Sequence, residues 1–137
     1  SSDLSFLVSN AAESINTNIS YEVVLSHGVF MYFPDLTYAE KVFNNMLCLS
    51  KNKIAILDVC DFDKFEQYDD KRLKRFIEEG FTKEQYRLKY EGLDHLFYKK
   101  NWFIELSEKH NLKIRINDQN YKNYGNSEFR FNVIFEK

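Results

Sequence analysis

The chain has 137 residues, a formal net charge of −2 and hydrophobic residues at 44% of its positions. This length suits one domain that buries a core without disulfide bonds, and the composition is that of a globular protein. Its 19 basic and 21 acidic residues form no basic stripe of the kind that nucleic-acid binding needs, and no apolar run is long enough to span a bilayer. We therefore expect neither a nucleic acid nor a membrane as a partner.

The cysteines and histidines do not predict a metal site. Cys48 and Cys60 form no CxxC pair, so we expect structural thiols in a reducing compartment, which favours a cytoplasmic location. His27, His95 and His110 have no metal-ligand spacing with them. No signal-peptide pattern is visible either.

Three apolar runs in the first half of the chain predict parallel strands at residues 4 to 9, 21 to 26 and 53 to 59. Tyr21–Leu25 is too short for a helix and has no polar alternation after Glu22. This pattern is typical of a strand that is covered on both faces in a parallel sheet.

A helix is predicted between the last two of these strands. Pro34 and Asp35 interrupt the chain, and Thr37 with Glu40 has the spacing of a capping box. The residues that follow place one apolar face at helical spacing, formed by Ala39, Val42, Phe43, Met46 and Leu47. The sequence therefore predicts a right-handed βαβ unit.

After this unit the sequence changes in character, and residues 62–104 are predicted to form a helical insert or cap. One helix is expected near Asp70, in a run of mixed charges that favours a solvated face over a binding patch. It is expected to end at Gly80. Thr82 with Gln85 indicates a second capping box, and Gly92 ends the short helix that it opens.

The end of the chain predicts a further helix and two strands. Trp102, Phe103 and Leu106 mark one face of a helix, and Asn111 suits its left-handed cap. Apolar residues then alternate with polar ones at residues 112 to 117 and 129 to 135, which predicts an antiparallel pair. No linker divides the chain, so one domain over residues 1–137 is expected.

Polar residues follow two of the predicted parallel strands. Ser26, His27 and Gly28 come after one strand, while Asp58 and Asp61 lie around the end of the next. Ligands of open α/β sheets sit beyond the carboxyl ends of the strands, so this edge is a candidate site. The alternative is that these are ordinary turn residues, because strand ends favour small and polar side chains.

Several of these segments resemble a known family. Ser-His-Gly-Val-Phe at 26–30, Met-Tyr-Phe-Pro-Asp at 31–35 and Lys-Ile-Ala-Ile-Leu-Asp at 53–58 resemble the fourth and fifth strands of class I S-adenosylmethionine-dependent methyltransferases. Phe-Leu-Val-Ser-Asn-Ala-Ala-Glu at 6–13 is similar to the motif that ends the third strand of that family. The resemblance implies an α/β fold, a Rossmann-like three-layer sandwich. Its mostly parallel sheet ends in an antiparallel strand inserted between the two strands before it.

The resemblance also implies S-adenosylmethionine as cofactor. It assigns Asn10 and Ala11 to the adenine, and Ser26 and His27 to the amino-acid end of the cofactor. However, the glycine-rich loop and the ribose-binding acidic residue of the family have no counterpart, because the glycines at 28, 80, 92 and 125 stand singly. We therefore expect the chain to match the C-terminal part of such an enzyme, and to bind the cofactor poorly or not at all by itself.

The implied reaction is methyl transfer to a small-molecule acceptor, for example a sugar or glycan precursor. His27 is the first candidate for the general base, because its unperturbed pKa is near neutrality and it follows a strand. His95 is the second, and a purely structural histidine is the alternative for each. The predicted substrate contacts are Asp58, Tyr86, Tyr90 and Tyr98, although the three tyrosines also fit the core of a helical subdomain.

Two other kinds of function fit the same sequence. The first is a catalytically inactive, methyltransferase-like binding or scaffold module, which the missing glycine-rich loop favours. The second is an unrelated small α/β domain that binds a partner protein. A strand followed by a glycine-rich loop, upstream in the gene, would favour the enzyme.

Overall fold

A computed structural model describes residues 10–13, 18–92 and 94–137. The predicted strand at residues 4 to 9 lies outside this part of the chain. The described elements are the strands β1 (Tyr21–His27), β2 (Ser50–Cys60), β3 (Lys113–Asp118) and β4 (Arg130–Glu136), and the helices α1 (Leu36–Leu49), α2 (Phe65–Glu78), α3 (Lys83–Tyr90) and α4 (Lys100–Lys109).

The strands form one mixed sheet in the order β1-β2-β4-β3. β1 runs parallel to β2, whereas β4 runs antiparallel to both β2 and β3. This arrangement confirms the predicted α/β class and the antiparallel pair. It also confirms that the last strand is inserted between the two strands before it.

The core lies on one face of the sheet, beneath α1 and α4. Phe135 of β4 contacts Phe43 of α1, with ring centroids 4.9 Å apart, and Phe103 of α4, at 6.4 Å. The two helices therefore share this face. The predicted apolar face of α1 is confirmed, since Ala39, Val42, Phe43 and Met46 are buried.

β1 differs from its prediction. Val24 packs against the core, but Tyr21, Val23 and Leu25 are exposed, Leu25 at 60%. The expectation that this strand is covered on both faces is wrong for the described structure, because both core helices lie on the other face of the sheet. The run Tyr21–Leu25 does form the predicted strand, but one face of that strand is exposed and not buried.

The helix ends show which capping signals the chain uses. α1 begins at Leu36 and is capped by Asp35, whose side chain accepts a hydrogen bond from the Tyr38 backbone N–H at 2.8 Å. The predicted capping box at Thr37 is therefore wrong, since Thr37 already lies inside the helix. The box formed by Thr82 and Gln85 is confirmed, with hydrogen bonds of 3.1 and 2.7 Å.

α2 and α3 form a hairpin that we call the helical cap. α2 begins earlier than predicted, at Phe65, after a helical turn in which the Asp63 N–H donates to Oδ1 of Asp61 at 3.0 Å. Phe76 packs on Phe81 and Tyr86, at 4.5 and 5.6 Å between ring centroids. Phe76 and Tyr86 are the buried residues of these two helices. None of the helices in the described part of the chain is both long and apolar enough to cross a bilayer.

Candidate active site

The carboxyl ends of β1 and β2 meet at one edge of the sheet. His27 pairs with Leu57, and the Gly28 N–H donates to the Leu57 carbonyl at 3.0 Å. Gly28 has φ +65, and a Cβ atom there would lie 3.4 Å from Oδ2 of Asp58. Glycine suits this position because it adopts the left-handed conformation without strain.

Asp58 occupies an irregular point in β2. The pairing of β2 with β4 shifts register between Ile56 and Val59, and Asp58 has φ 61. Its backbone N–H donates to Oδ1 of Asn132 at 3.0 Å, which holds the irregular segment in place. Bulges of this kind re-aim a side chain, and a left-handed non-glycine residue costs energy that functional sites often carry.

Asp58 is 6% exposed, and one oxygen of its carboxylate has no hydrogen bond from the described residues. Oδ2 accepts a hydrogen bond from the Tyr124 hydroxyl at 3.1 Å. Oδ1 lies 3.9 Å from Nε of Arg130, which is 3% exposed, and accepts no hydrogen bond from any described residue. A buried carboxylate oxygen with an unused lone pair is costly unless a ligand donates to it.

Arg130 is held from its other side by sulfur atoms. Its Nη1 donates to the Cys60 sulfur, and to the Met31 sulfur at 3.5 Å. Burial raises the pKa of the Cys60 thiol to about 11, although the neighbouring guanidinium opposes this shift. Cys60 therefore stays a neutral thiol, and the charge that balances Arg130 is that of Asp58.

The two candidate bases lie in different environments. His27 is exposed at the end of β1. His95 is half-buried, and its ring meets Tyr32 edge to face at 5.2 Å. Burial lowers the pKa of His95, the charges of Arg130 and Arg72 lower it further, and Asp94 opposes them. His95 is therefore neutral at pH 7, as a general base must be.

The residues predicted for the adenine side are anchored to α1. Asn10 Oδ1 accepts hydrogen bonds from the Tyr38 hydroxyl at 2.6 Å and from the Ala12 N–H at 3.0 Å. Asn45 Nδ2 donates to the Ala11 carbonyl at 2.6 Å. Because Tyr38 lies in the first turn of α1, this short segment lies near the same edge of the sheet. Ser26 is half-buried and pairs with Ile56.

Two of the three predicted substrate tyrosines have packing roles. Tyr98 is fully buried, and its hydroxyl donates to the Phe30 carbonyl at 2.8 Å. It has no free surface for a ligand, so the site that we propose below omits it. Tyr86 is buried inside the helical cap, and its hydroxyl bonds to Asp69 and Arg72. Burial and the bond to Asp69 raise the pKa of Tyr86 to about 12.

Solved structures similar to this one are methyltransferases. Magnesium protoporphyrin IX methyltransferase (ChlM) from Synechocystis PCC 6803 with bound SAH has a TM-score of 0.54 and 12% identity, covering 96% of this chain and 48% of that one. The methyltransferase domain of bacterial CtHen1 has a TM-score of 0.55 and 12% identity, covering 94% and 59%. The chain has the fold of these methyltransferases.

At such low identity the likeness concerns the fold alone, and the chain spans about half the length of these structures. No protein-family model matches the sequence, and no curated protein matches it. No group of three or more His, Cys, Asp or Glu residues in the described ranges is arranged to hold a metal ion.

This methyltransferase fold carries a groove that the sequence analysis missed. A cavity of about 480 Å³ lies between α2, α3 and the loop before β4. Tyr90 lines it, as do Lys71, Arg72 and Arg75, which belong to the run of charges predicted to form a solvated face. A signal was available, because one face of α2 collects aromatic and basic side chains at offsets 0, 3, 4, 7 and 8, namely Tyr68, Lys71, Arg72, Arg75 and Phe76.

Proposed function

We propose that the protein containing this chain transfers a methyl group from S-adenosylmethionine to a small-molecule acceptor, and that the described edge of the sheet binds the acceptor. The observation that carries the proposal is Asp58. It combines a left-handed backbone, a buried carboxylate and an oxygen without a hydrogen bond from the described residues. The fold shared with methyltransferases supports the choice of reaction.

The residues at this edge fit the cofactor in part. The hydrogen bonds to Asn10 are accepted by Oδ1, which leaves the amide nitrogen as a donor suited to a ring nitrogen of adenine. Ser26 and His27 would contact the amino-acid end. The cofactor supplies an activated methyl group on a positively charged sulfur. The chain's own residues then have to orient the acceptor and remove a proton from it.

Asp58 and a histidine divide these two tasks. Oδ1 of Asp58, which is buried, would accept a hydrogen bond from a donor group of the acceptor once that group reaches it, while Arg130 and Tyr124 hold the carboxylate in place. A neutral imidazole would take the acceptor's hydroxyl proton as the methyl carbon leaves the cofactor sulfur, which becomes an uncharged thioether, and bonds to the acceptor oxygen. His27 is our first assignment because it is exposed next to Gly28. His95 is the second, and its lowered pKa suits the same role.

The experiment uses the complete natural product of the gene that contains this chain. Cofactor binding is followed by calorimetry, and transfer is followed with radiolabelled S-adenosylmethionine and a pool of small hydroxylated acceptors. If His27 is the base, His27→Asn lowers kcat by roughly 10²- to 10⁴-fold with little change in cofactor affinity. His110→Asn is the matched control, because His110 packs on Phe43 at the far end of α4.

The outcomes separate the assignments. Loss of activity in His95→Asn but not in His27→Asn moves the base to His95. Cofactor binding without transfer to any acceptor favours the inactive binding module instead. A gene product that neither binds the cofactor nor transfers a methyl group overturns the proposal.

A further inference from the structure

We propose that the groove between the helical cap and the loop before β4 binds a planar aromatic molecule that carries an anionic group, a carboxylate or a phosphate. As a statement about the methyl acceptor, this inference rests on the function proposed above. As a statement about binding, it stands on the groove alone. Its cavity of about 480 Å³ is of the size that encloses one small molecule.

The charge of the groove favours an anion. Among the described residues, four cationic side chains line the groove, whereas Glu79 is the one carboxylate that does so. Arg75 pairs with that carboxylate at 3.2 Å, and Lys71 pairs with Glu128. Lys89 has no carboxylate partner among the described residues, and its ammonium lies 5.2 Å from the ring centre of Phe76. An incoming anion would therefore meet Lys89 without displacing a carboxylate.

Arg72 gives the groove a fixed donor. Its guanidinium lies 4.0 Å from the ring centre of Tyr90. Nε donates to the Tyr86 hydroxyl at 2.7 Å, and Nη2 donates to Asp69 at 3.1 Å. A guanidinium has five N–H groups in a rigid fork, so the Nη1 hydrogens remain for a ligand. Because Arg72 is already oriented, little side-chain entropy is lost when an anion binds.

Aromatic rings form the other walls and favour a planar ligand. Tyr68, Phe76, Tyr90 and Phe129 all line the cavity. Rings at such positions stack on, or meet edge to face, a planar molecule that fits between them. A neutral sugar has no negative charge to pair with the cations, and an aliphatic acid has no planar ring to stack on the aromatic side chains.

The groove adjoins the edge that carries Asp58. Phe129 directly precedes Arg130, and its carbonyl accepts a hydrogen bond from the Asp61 N–H at 3.0 Å. His95 lies close enough to both Arg72 and Arg130 for each charge to lower its pKa. An aromatic molecule held by its anionic end near Arg72 and Lys89 would extend toward this edge.

The test is a binding titration of the chain without cofactor, read by backbone amide shifts and calorimetry. The probes are phenyl phosphate and benzoate, which distinguish the two anionic groups. Benzyl alcohol supplies the ring without the charge, and inorganic phosphate supplies the charge without the ring. We expect at least one aryl anion to bind about 10-fold more tightly than either partial probe, with shifts at the lining residues.

Variants locate the site. Lys89→Gln and Tyr90→Leu should each weaken binding of the aryl anion about 10-fold. Lys74→Gln is the matched control, since Lys74 is exposed on α2 and does not line the groove. Unchanged amide shifts elsewhere show that each variant remains folded. Equal weakening in Lys74→Gln would show nonspecific charge attraction and overturn the inference.

Other results also decide the matter. If benzyl alcohol binds as tightly as phenyl phosphate, the ligand does not need an anionic group and the inference is wrong. If a short oligoribonucleotide binds more tightly than either aryl anion, the groove is a nucleic-acid site and not a small-molecule site. The titration contains no cofactor, so its result is independent of the methyl-transfer assay. Aryl anions can bind although no methyl transfer is detected, and methyl transfer can be detected although no aryl anion binds. Methyl transfer that is unaffected by Lys89→Gln and Tyr90→Leu would keep the proposed function and overturn the claim that the groove holds the methyl acceptor.

Discussion

The sheet and the helical cap are held together by different forces. Phe43, Phe103 and Phe131 are fully buried between the sheet and its helices, so removal of apolar surface from water stabilises this part. The cap instead relies on one aromatic cluster around Phe76 and on polar contacts of Arg72. The contrast indicates that the sheet core and the groove of the helical cap depend on largely separate residues.

The cap also needs its tertiary contacts more than the core helices do. α3 has 8 residues, which is too short for a helix to be stable alone in water. Its capping box and the bonds of Tyr86 to α2 therefore hold it in place. We expect the cap to open locally while the sheet stays intact, because regions with few buried apolar contacts open at lower free energy.

The largest expected effect comes from the sheet side of this comparison. Phe103→Ala removes a fully buried ring from α4 and leaves a cavity, and should lower the free energy of unfolding by about 3 to 5 kcal/mol. Ile104→Ala, at the next position on the helix and 37% exposed, is the matched control. Urea denaturation of both variants measures the difference. Similar losses in the two would contradict the core assignment of α4.

A smaller, local effect is expected in the cap. Tyr86→Phe keeps the ring but removes the hydroxyl that bonds to Asp69 and Arg72, which should cost about 1 kcal/mol. Hydrogen exchange should become faster in α3 and stay unchanged in β4. Tyr90→Phe serves as the control, because Tyr90 meets Arg72 with its ring face. Faster exchange in β4 would show that cap and sheet open as one unit.

The smallest effect concerns pH. Because the pKa of His95 is lowered in the folded chain, the unfolded chain binds a proton at higher pH than the folded one. The stability contributed by neutral His95 is therefore complete above its ordinary pKa of about 6.5 and is lost as the pH falls through the lowered value. In His95→Gln, the melting temperature should depend less on pH over this acidic range. An NMR titration of His95 with a midpoint above 6.5 would refute this.

The sequence predicted the helices, the strands and the strand pairing better than it predicted which residues are buried. Strand alternation at 129 to 135 and the capping box at Thr82 are local patterns, and both are confirmed. The exposure of Leu25 depends on which face of the sheet the helices cover, and no local pattern encodes that choice. The irregular backbone at Asp58 was not predictable for the same reason, because it arises from the pairing of β2 with β4, which are distant in the sequence.

The groove was missed for a different reason. The sequence showed the basic and aromatic residues on α2, but mixed charges usually mark a solvated face. The docking of Phe129 against Tyr68, at 5.5 Å between ring centroids, brings the loop before β4 over this face of α2 and helps to form the cavity. Phe129 and Tyr68 are far apart in the chain, so the spacing of residues along α2 alone could not predict the groove.

The position of β4 between β2 and β3 has a consequence for synthesis on the ribosome. β2 and β3 both emerge before the strand that joins them, since β4 begins at Arg130. Until then the apolar residues Ile54 and Ile56 belong to a strand with one open hydrogen-bonding edge, which is prone to pair with other chains. We expect a nascent chain stalled before Arg130 to be bound by chaperones and to be digested rapidly by protease, and one stalled well beyond Glu136 to resist digestion.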